Sequence, residues 1–408
     1  MDQTSNPSTC LQAPAVHTRG KPVLRVLGTD ITLLESVRRQ AEADLGIQIV
    51  FDSRDFQGAQ QCAATQPEHY DVYDQCFHNL DIVWFWRAIA PIDLKRVPLW
   101  GDINDLTKTG RISPDAMLGA GDAPVRKLFV QPDRTLGSQQ TGYIAMLPTV
   151  HNMDGIAVSD QVLAQAEEQE QEPSWAWLLD SRWSGHVALV DEPAIGVFDA
   201  ALAARAAGLW TAQDIGNLSI KEIDRLMAVL QAKKRSGHFS SFWRTANDSV
   251  QLMRDGPTQL QSIWSPAITA LVADGYPVRE VSPVEGYRAW HGGMCLSRHL
   301  DGRMLDVAYE YMNWWLSGWA GAVMARQGYY MSASRQVRAH LSVPEWDYWY
   351  EGKPAACDLS GTDGRVVVRA GQVRNGGSYW HRAKRIALWN TTMEEHNYIV
   401  RAWADFVK

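Results

Sequence analysis

The stretch that most constrains this chain reads Glu285-Gly286-Tyr287-Arg288-Ala289-Trp290-His291-Gly292-Gly293-Met294-Cys295-Leu296-Ser297. A strand-like run over residues 277–283 precedes it, and a short apolar run and a long helix over residues 305–319 follow it. A strand that ends in aromatics and two glycines and then restarts suits a chain crossing between two lobes. Glycine permits backbone angles and close approaches that other residues resist. Tyr287, Trp290 and His291 would then stand at the mouth of the crossing, and clefts between domains are where small ligands usually sit. Taken alone, the stretch reads more simply as a strand end with core aromatics, so the rest of the chain has to decide.

With 408 residues the chain has room for two or three domains. Its net charge of −7, with no basic block, makes nucleic acid and anionic membrane surfaces poor partners. No apolar run reaches the ~18 residues of a membrane span. Residues 1–20 are rich in Ser, Pro, Gln and Thr and predict a disordered tail. They lack the apolar centre of a signal peptide, so either the protein stays in the cytoplasm or a leader has been removed. The five cysteines, Cys10, Cys62, Cys76, Cys295 and Cys357, form no CxxC pair, which argues against structural zinc. Cys62 and Cys76 could join in a disulfide or remain two buried thiols. Several of the 18 tryptophans fall beside turn residues, where a ring face can grip a ligand.

In chain order, residues 23–27 predict a strand ending at Gly28-Thr29-Asp30, residues 33–44 a helix closed by Gly46, and residues 47–51 a second strand. Such a β-α-β unit is parallel and right-handed. Residues 70–73 predict a third strand, followed by Cys76, His78 and Asn79 and a helix through Trp86. Ligands of open α/β sheets sit at the carboxyl ends of strands, so Thr29, Asp30, Cys76, His78 and Asn79 converge on one edge. Residues 143–158 form a long extended run broken by Pro148, the first crossing, with Asn152 and Asp154 upon it. Ser174 caps a helix. A strand over residues 187–190 ends at Asp191-Glu192 before a helix over 194–207. Residues 220–233 predict an amphipathic helix. Residues 261–264 predict a buried strand ending at Trp264. Beyond Arg335, polar turns precede a helix over residues 389–407.

This order of elements resembles the bacterial extracellular solute-binding proteins of ABC importers, in the spermidine/putrescine-binding group. The resemblance rests on Gly46-Ile47-Gln48-Ile49, Tyr70-Asp71-Val72, Leu147-Pro148-Thr149 leading to Gly155-Ile156-Ala157-Val158, Ser174-Trp175-Ala176-Trp177, Val190-Asp191-Glu192, Ile263-Trp264-Ser265, Trp290 and Gly328-Tyr329. It implies a type II periplasmic binding protein of venus-flytrap form: two α/β lobes with central mixed sheets and a hinge of crossing strands. Residues 21–148 plus 291–334 would form lobe one, and residues 149–290 plus 335–408 lobe two. It further implies a monomeric periplasmic protein that captures a small solute and delivers it to the permease and ATPase subunits of an importer, without cofactor, metal or catalysis.

Carried over by position, Thr29 and Asp30 fall on the first ligand loop, His78 and Asn79 on the second, and Asp191 and Glu192 on the loop of lobe two. Trp264 and Trp290 match two boxing tryptophans. Where the polyamine binders place a carboxylate two residues after the tryptophan, this chain has Gly292. The implied ligand therefore widens from a polyamine to any solute with an amine end: an ω-amino acid, an aminophosphonate or a quaternary amine. Asn152, Asp154, His291 and Tyr329 complete the candidate ligand set. Asp154 needs a partner, either a ligand ammonium, Arg288 or a helix N-terminus. Asp30 has the alternative of capping the helix from residue 33. His291 has the alternative of a hinge hydrogen bond. Two other readings remain at this level: a thiaminase-like transferase using Cys76 with His78, and a ferric-ion-binding protein using Tyr329-Tyr330.

Overall fold

The fold is described by a computed structural model over residues 20–408. The tail expected over residues 1–20, with Cys10, lies outside the described residues apart from Gly20. The opening β-α-β unit forms as expected. Strands Val23–Gly28 and Gln48–Ser53 pair in parallel from Val23 opposite Gln48, and helix Glu35–Leu45 joins them. Gly46 closes that helix at φ 67°, a left-handed angle, with its N–H donating to the Glu42 carbonyl. The third strand, Val72–Cys76, runs three residues beyond the expected end at Tyr73 and is buried throughout.

Two sheets organise the molecule. In the first, the strands lie in the order Tyr330–Met331, Leu147–Asp154, Tyr287–Ser297, Val72–Cys76, Val23–Gly28, Gln48–Ser53. The second has the order Phe239–Trp243, Val187–Val190, Leu260–Ser262, Ile156–Ser159, Val278–Val281. Each mixes parallel and antiparallel pairs, and each has its own hydrophobic core. The chain passes from the first sheet to the second at Gly155 and returns through residues 282–286. These are the crossings that make a hinge.

Two expectations about the crossings need correcting. Pro148 does not break the extended run. It lies inside Leu147–Asp154, opposite Gly293; the run is interrupted before it, at residues 145–146, and after it at Gly155, where a Cβ would come within 2.4 Å of the Val281 carbonyl. Nor do Gly292 and Gly293 end a strand. Tyr287–Ser297 runs unbroken and wholly buried, with an irregularity in register at the glycines. A Cβ on Gly293 would meet the Leu147 carbonyl at 2.2 Å, so the glycine marks a bulge and close backbone contact.

The C-terminal part is more structured than its polar turns suggest. It contains helices Val343–Trp349 and Tyr379–Ala383, strand Ile386–Trp389 and helix His396–Val407. Trp389 is therefore a strand residue rather than a helix start. Ile386-Ala387-Leu388-Trp389 is too short an apolar run for periodicity to separate strand from helix. The neighbouring edge, Tyr287 to Ala289, decides by pairing with it in parallel. Residues 335–408 contribute to both cores: Trp346, Tyr350 and Tyr379 pack with the first, Met393, Ile399 and Trp403 with the second. Ser174 caps as expected, but the helix that follows, Trp175–Leu179, is a 3-10 turn. No disulfide joins Cys62 to Cys76.

Candidate functional site

Alternation along the two crossing strands sorts their side chains by face. Asn152 lies opposite Trp290 and Asp154 opposite Arg288, so these four share one face. His151 and His291, also opposite one another, occupy the other.

On the first face Arg288 is the centre. Its Nη2 is 3.1 Å from Asp154, its Nε donates to Asp199 at 2.5 Å and its Nη1 donates to Asn390 at 3.0 Å. All three charged side chains are almost wholly shielded from solvent. Asn152 donates to Asp154 at 2.8 Å and to Ser265 Oγ at 2.8 Å. Burial raises both carboxyls, Asp154 to about 6, and the guanidinium draws them back toward ionisation. Of the partners open to Asp154 in the sequence, the fold supplies Arg288. Asp199, Asn390 and Ser265 escaped the sequence reading. Only Asp199 carried a signal: a lone carboxylate in the apolar run Ala194-Ile195-Gly196-Val197-Phe198-Asp199-Ala200-Ala201 requires a buried partner.

Beside this network Trp290 packs edge-on against Tyr329, with ring centres 5.3 Å apart. The Tyr329 hydroxyl is held well above its usual value, by burial first and then by the charges of Asp154, Cys76 and Asp30. Cys76, at the end of its strand, is held far up by burial and then by Asp74, Glu192 and Asp154. Acids from both sheets therefore act on one spot, between the end of the third strand and Tyr329. Glu192 precedes helix Pro193–Ala206. Its Oε2 is out of contact with solvent and has no hydrogen-bond partner, and burial pushes its carboxyl up to about 7 against the pull of the Ala194 and Ile195 amides.

Thr29 is buried and Asp30 exposed in the turn after the first strand. Asp30 does not cap the following helix, whose N-cap is Leu34 without a side-chain bond. Trp264 is half-buried. It is the N-cap residue of helix Ser265–Ala273, two residues past the end of strand Leu260–Ser262, which stops short of the expected end at Trp264. Its ring meets Trp243 of the same lobe at 4.8 Å and Phe56 of the other at 6.1 Å. Asp191 stands at the rim, bonded at 2.7 Å to the exposed Arg244.

His78, Asn79 and His291 are gathered elsewhere. His78 and Asn79 occupy a buried 3-10 turn after the third strand. His291 lies against Phe77 at 4.2 Å, with Trp389 edge-on at 5.9 Å, and neither ring nitrogen has a hydrogen-bond partner. Burial, then neighbouring His151, His78 and Lys127, hold its pKa well below the usual imidazole range. The hinge hydrogen bond expected of His291 is therefore not made.

The same geometry bears on chemistry. A thiolate nucleophile needs a lowered pKa, whereas the Cys76 thiol is raised, and burial drives His78 down to about 3. Tyr329 and Tyr330 point to opposite faces: Tyr330 accepts from Arg374 and packs on Tyr379. They cannot ligate one ion together. Among the described residues no group of three or more His, Cys, Asp or Glu is placed to hold a metal.

Two mixed sheets joined by chain crossings at Gly155 and residues 282–286, with acids and aromatics gathered between them, define a two-lobed solute receptor. The sequence profile of the bacterial extracellular solute-binding protein family matches residues 39–349, and the chain belongs to that family. It is the substrate-binding component of an ABC transporter, with a small-molecule ligand and permease and ATPase subunits as partners, and it is not an enzyme. No helix among the described residues is long and apolar enough to cross a membrane. No curated protein matches this chain in sequence. Solved structures share the fold at low identity. The spermidine/putrescine ABC transporter substrate-binding protein PotD of Streptococcus pneumoniae has a TM-score of 0.62 at 11% identity, covering 95% of this chain and 100% of its own. The TpPotD lipoprotein of Treponema pallidum reaches 0.64 at 12%, covering 95% and 99%. A GABA receptor reaches 0.58 at 15%, covering 95% and 98%.

Proposed function

We propose that this receptor captures a small solute with a cationic amine end, in the periplasm and as a monomer. The class comprises polyamine-like solutes, ω-amino acids, aminophosphonates and quaternary amines. The observation that carries the reading is the excess of acid between the sheets. Asp30, Asp74, Asp154 and Glu192 act on Cys76 and Tyr329, and Arg288 is the cation that opposes them there. A desolvated ammonium needs fixed opposite charge, since burying it unpaired costs several kcal/mol. The half-buried Trp264 ring offers a face on which a cation gains roughly 0.5–2 kcal/mol. Two of the similar structures bear names that fit this class, one spermidine/putrescine and one GABA.

On this reading Trp290 and Tyr329 form the inner contacts, and Thr29, Asp30, Asp191, Glu192 and Trp264 close over the ligand from the two rims. Asn152 and Asp154 border the ligand from the hinge floor, while His78, Asn79 and His291 reach it only indirectly. A thermal-shift screen of amines, amino acids, betaines and phosphonates tests the class, because a ligand bound only by the folded state raises the melting temperature. Stabilisation by amines and by no amine-free anion is expected. A hit list confined to anions would overturn the reading. Small-angle scattering with the best hit should then show contraction, the mark of lobe closure.

A further inference from the structure

We propose that the segment carrying Arg374, Arg382 and Arg385 is a hinge strap, whose guanidinium groups position the two crossings and set how far the lobes open. The inference rests on the two-lobed architecture and is independent of which solute binds. The segment lies beyond residue 349, where the match to the family ends.

Arg382 is wholly buried. Its Nη2 donates to the Met153 carbonyl at 2.8 Å, the residue before Asp154 on the first crossing strand. The same nitrogen donates to Glu280 Oε1 at 3.0 Å, on strand Val278–Val281 of the second sheet. Its plane lies 4.5 Å from the centre of the Tyr287 ring, at the start of the second crossing strand. One guanidinium thus ties an element of each sheet to both crossings. Arg385 holds the return link. It donates to the Pro283 carbonyl at 2.7 Å, the Val284 carbonyl at 3.1 Å and Ser282 Oγ at 3.1 Å, while its own carbonyl accepts from the Tyr287 amide at 2.8 Å. Arg374 donates to the Tyr330 hydroxyl at 2.6 Å and the Gly328 carbonyl at 2.9 Å, pinning the edge strand of the first sheet. Between these arginines, Asn375 Nδ2 donates to the Glu280 carbonyl at 2.6 Å. Gly376, at φ 81°, passes so close that a Cβ would lie 2.0 Å from the Tyr287 hydroxyl.

Hinge opening absorbs large backbone rotations in a few residues. Here those residues are Gly155 and the link 282–286, and both are flanked by the strap. Rotating the second sheet away from the first must draw Glu280 from Arg382 or Arg382 from Met153. Charge-assisted bonds of this kind are the stronger class of hydrogen bond, and a guanidinium left buried without them is costly. The strap therefore acts as a stop on opening.

The test measures opening directly in the ligand-free protein. Spin labels are placed on cysteines introduced at the exposed Arg39 of helix Glu35–Leu45 and the exposed Arg225 of helix Ile220–Arg235, in a Cys10→Ser, Cys357→Ser background. The parent is compared with an Arg382→Gln, Glu280→Gln double variant, which removes both charges together, and with Arg385→Gln, whose half-buried side chain is easier to replace. In both variants the interlobe distance is expected to lengthen by several ångströms and its distribution to broaden. A merely structural role would lower the melting temperature and leave the distribution of the folded molecules unchanged, and that result overturns the proposal. Should the double variant fail to fold, Arg385→Gln decides alone: a distribution superimposable on the parent's overturns the strap, and a longer, broader one upholds it.

Discussion

The hinge floor and the cleft rim are built from the same kinds of side chain, in different states. On the floor Asp154 and Asp199 are buried and ion-paired with Arg288, which also donates to Asn390, although Asp199 Oδ2 makes no hydrogen bond. Toward the rim Asp30 is exposed, Trp264 half-buried and Glu192 Oε2 without a partner. A buried charge that has found its counter-charge serves the fold, and its removal costs stability. A group left open or unpaired remains free to meet a ligand. The contrast teaches that proximity to a crossing does not make a residue a ligand contact; what matters is whether its charge is already paired.

The largest expected effect lies on the floor. Arg288→Met leaves Asp154 and Asp199 buried without their cation, and should destabilise the protein by about 3–5 kcal/mol, the range for removing one partner of a buried pair. Urea unfolding of ligand-free protein measures it. A loss below ~1 kcal/mol, together with lost affinity, would move Arg288 from the floor into the ligand set and dissolve the distinction.

Glu192 should give the next effect, through pH. Its folded pKa is raised from 4.5 to about 7, so between those values the folded state binds more protons than the unfolded one. Stability contributed by this group is therefore present below about pH 4.5 and lost as pH rises toward 7. Glu192→Gln should flatten that slope. A cationic ligand favours the ionised carboxylate, so binding should release a proton and tighten by up to about tenfold per pH unit below pH 7. Calorimetry in buffers of different ionisation enthalpy reads the proton. If an amine binds with no proton release and no pH dependence, Glu192 belongs with the floor.

Much of the fold was legible, and the reason is local. The opening β-α-β unit, the strands at Val187 and Val278 and helix Ile220–Arg235 each announce themselves by periodicity, caps and turn residues. The C-terminal strand Ile386–Trp389 was not legible, because only parallel pairing with Tyr287–Ala289 makes it a strand. The glycine pair misled for a related reason. Gly293 is required by the approach of the Leu147 carbonyl from another part of the chain, and a sequence shows that a glycine is needed without showing against what. The site divides the same way. Its acids and tryptophans could be named from strand ends, but the partner of Asp154 could not be chosen until the helix carrying Asp199 was packed over Arg288.

At the rim, Trp264→Ala should weaken ligand binding by about 1–3 kcal/mol, the combined loss of an aromatic face and its buried area. The ligand-free melting temperature should move less than for Arg288→Met. Calorimetry and a thermal scan on the same variant separate the two: a large drop in ligand-free stability with unchanged affinity would place Trp264 in the core of its lobe, alongside Trp243.

The smallest expected effect is the sharpest probe of the rim. Phe56 opens the helix after the second strand of the first sheet, and its ring meets the edge of Trp264, which follows a strand of the second. It is an aromatic contact made from one lobe to the other, so it exists only while the lobes are together. Phe56→Ala should cost about 0.5–1.5 kcal/mol, the worth of one edge-to-face pair, and the cost should fall on the closed state alone. The ligand should then leave faster, by roughly two- to tenfold, with its association rate nearly unchanged, since dissociation is where most contact losses appear. Stopped-flow fluorescence of the Trp264 environment would follow both rates. An equal fall in ligand-free stability would show that Phe56 and Trp264 already touch in the open molecule, and would make this rim a second floor.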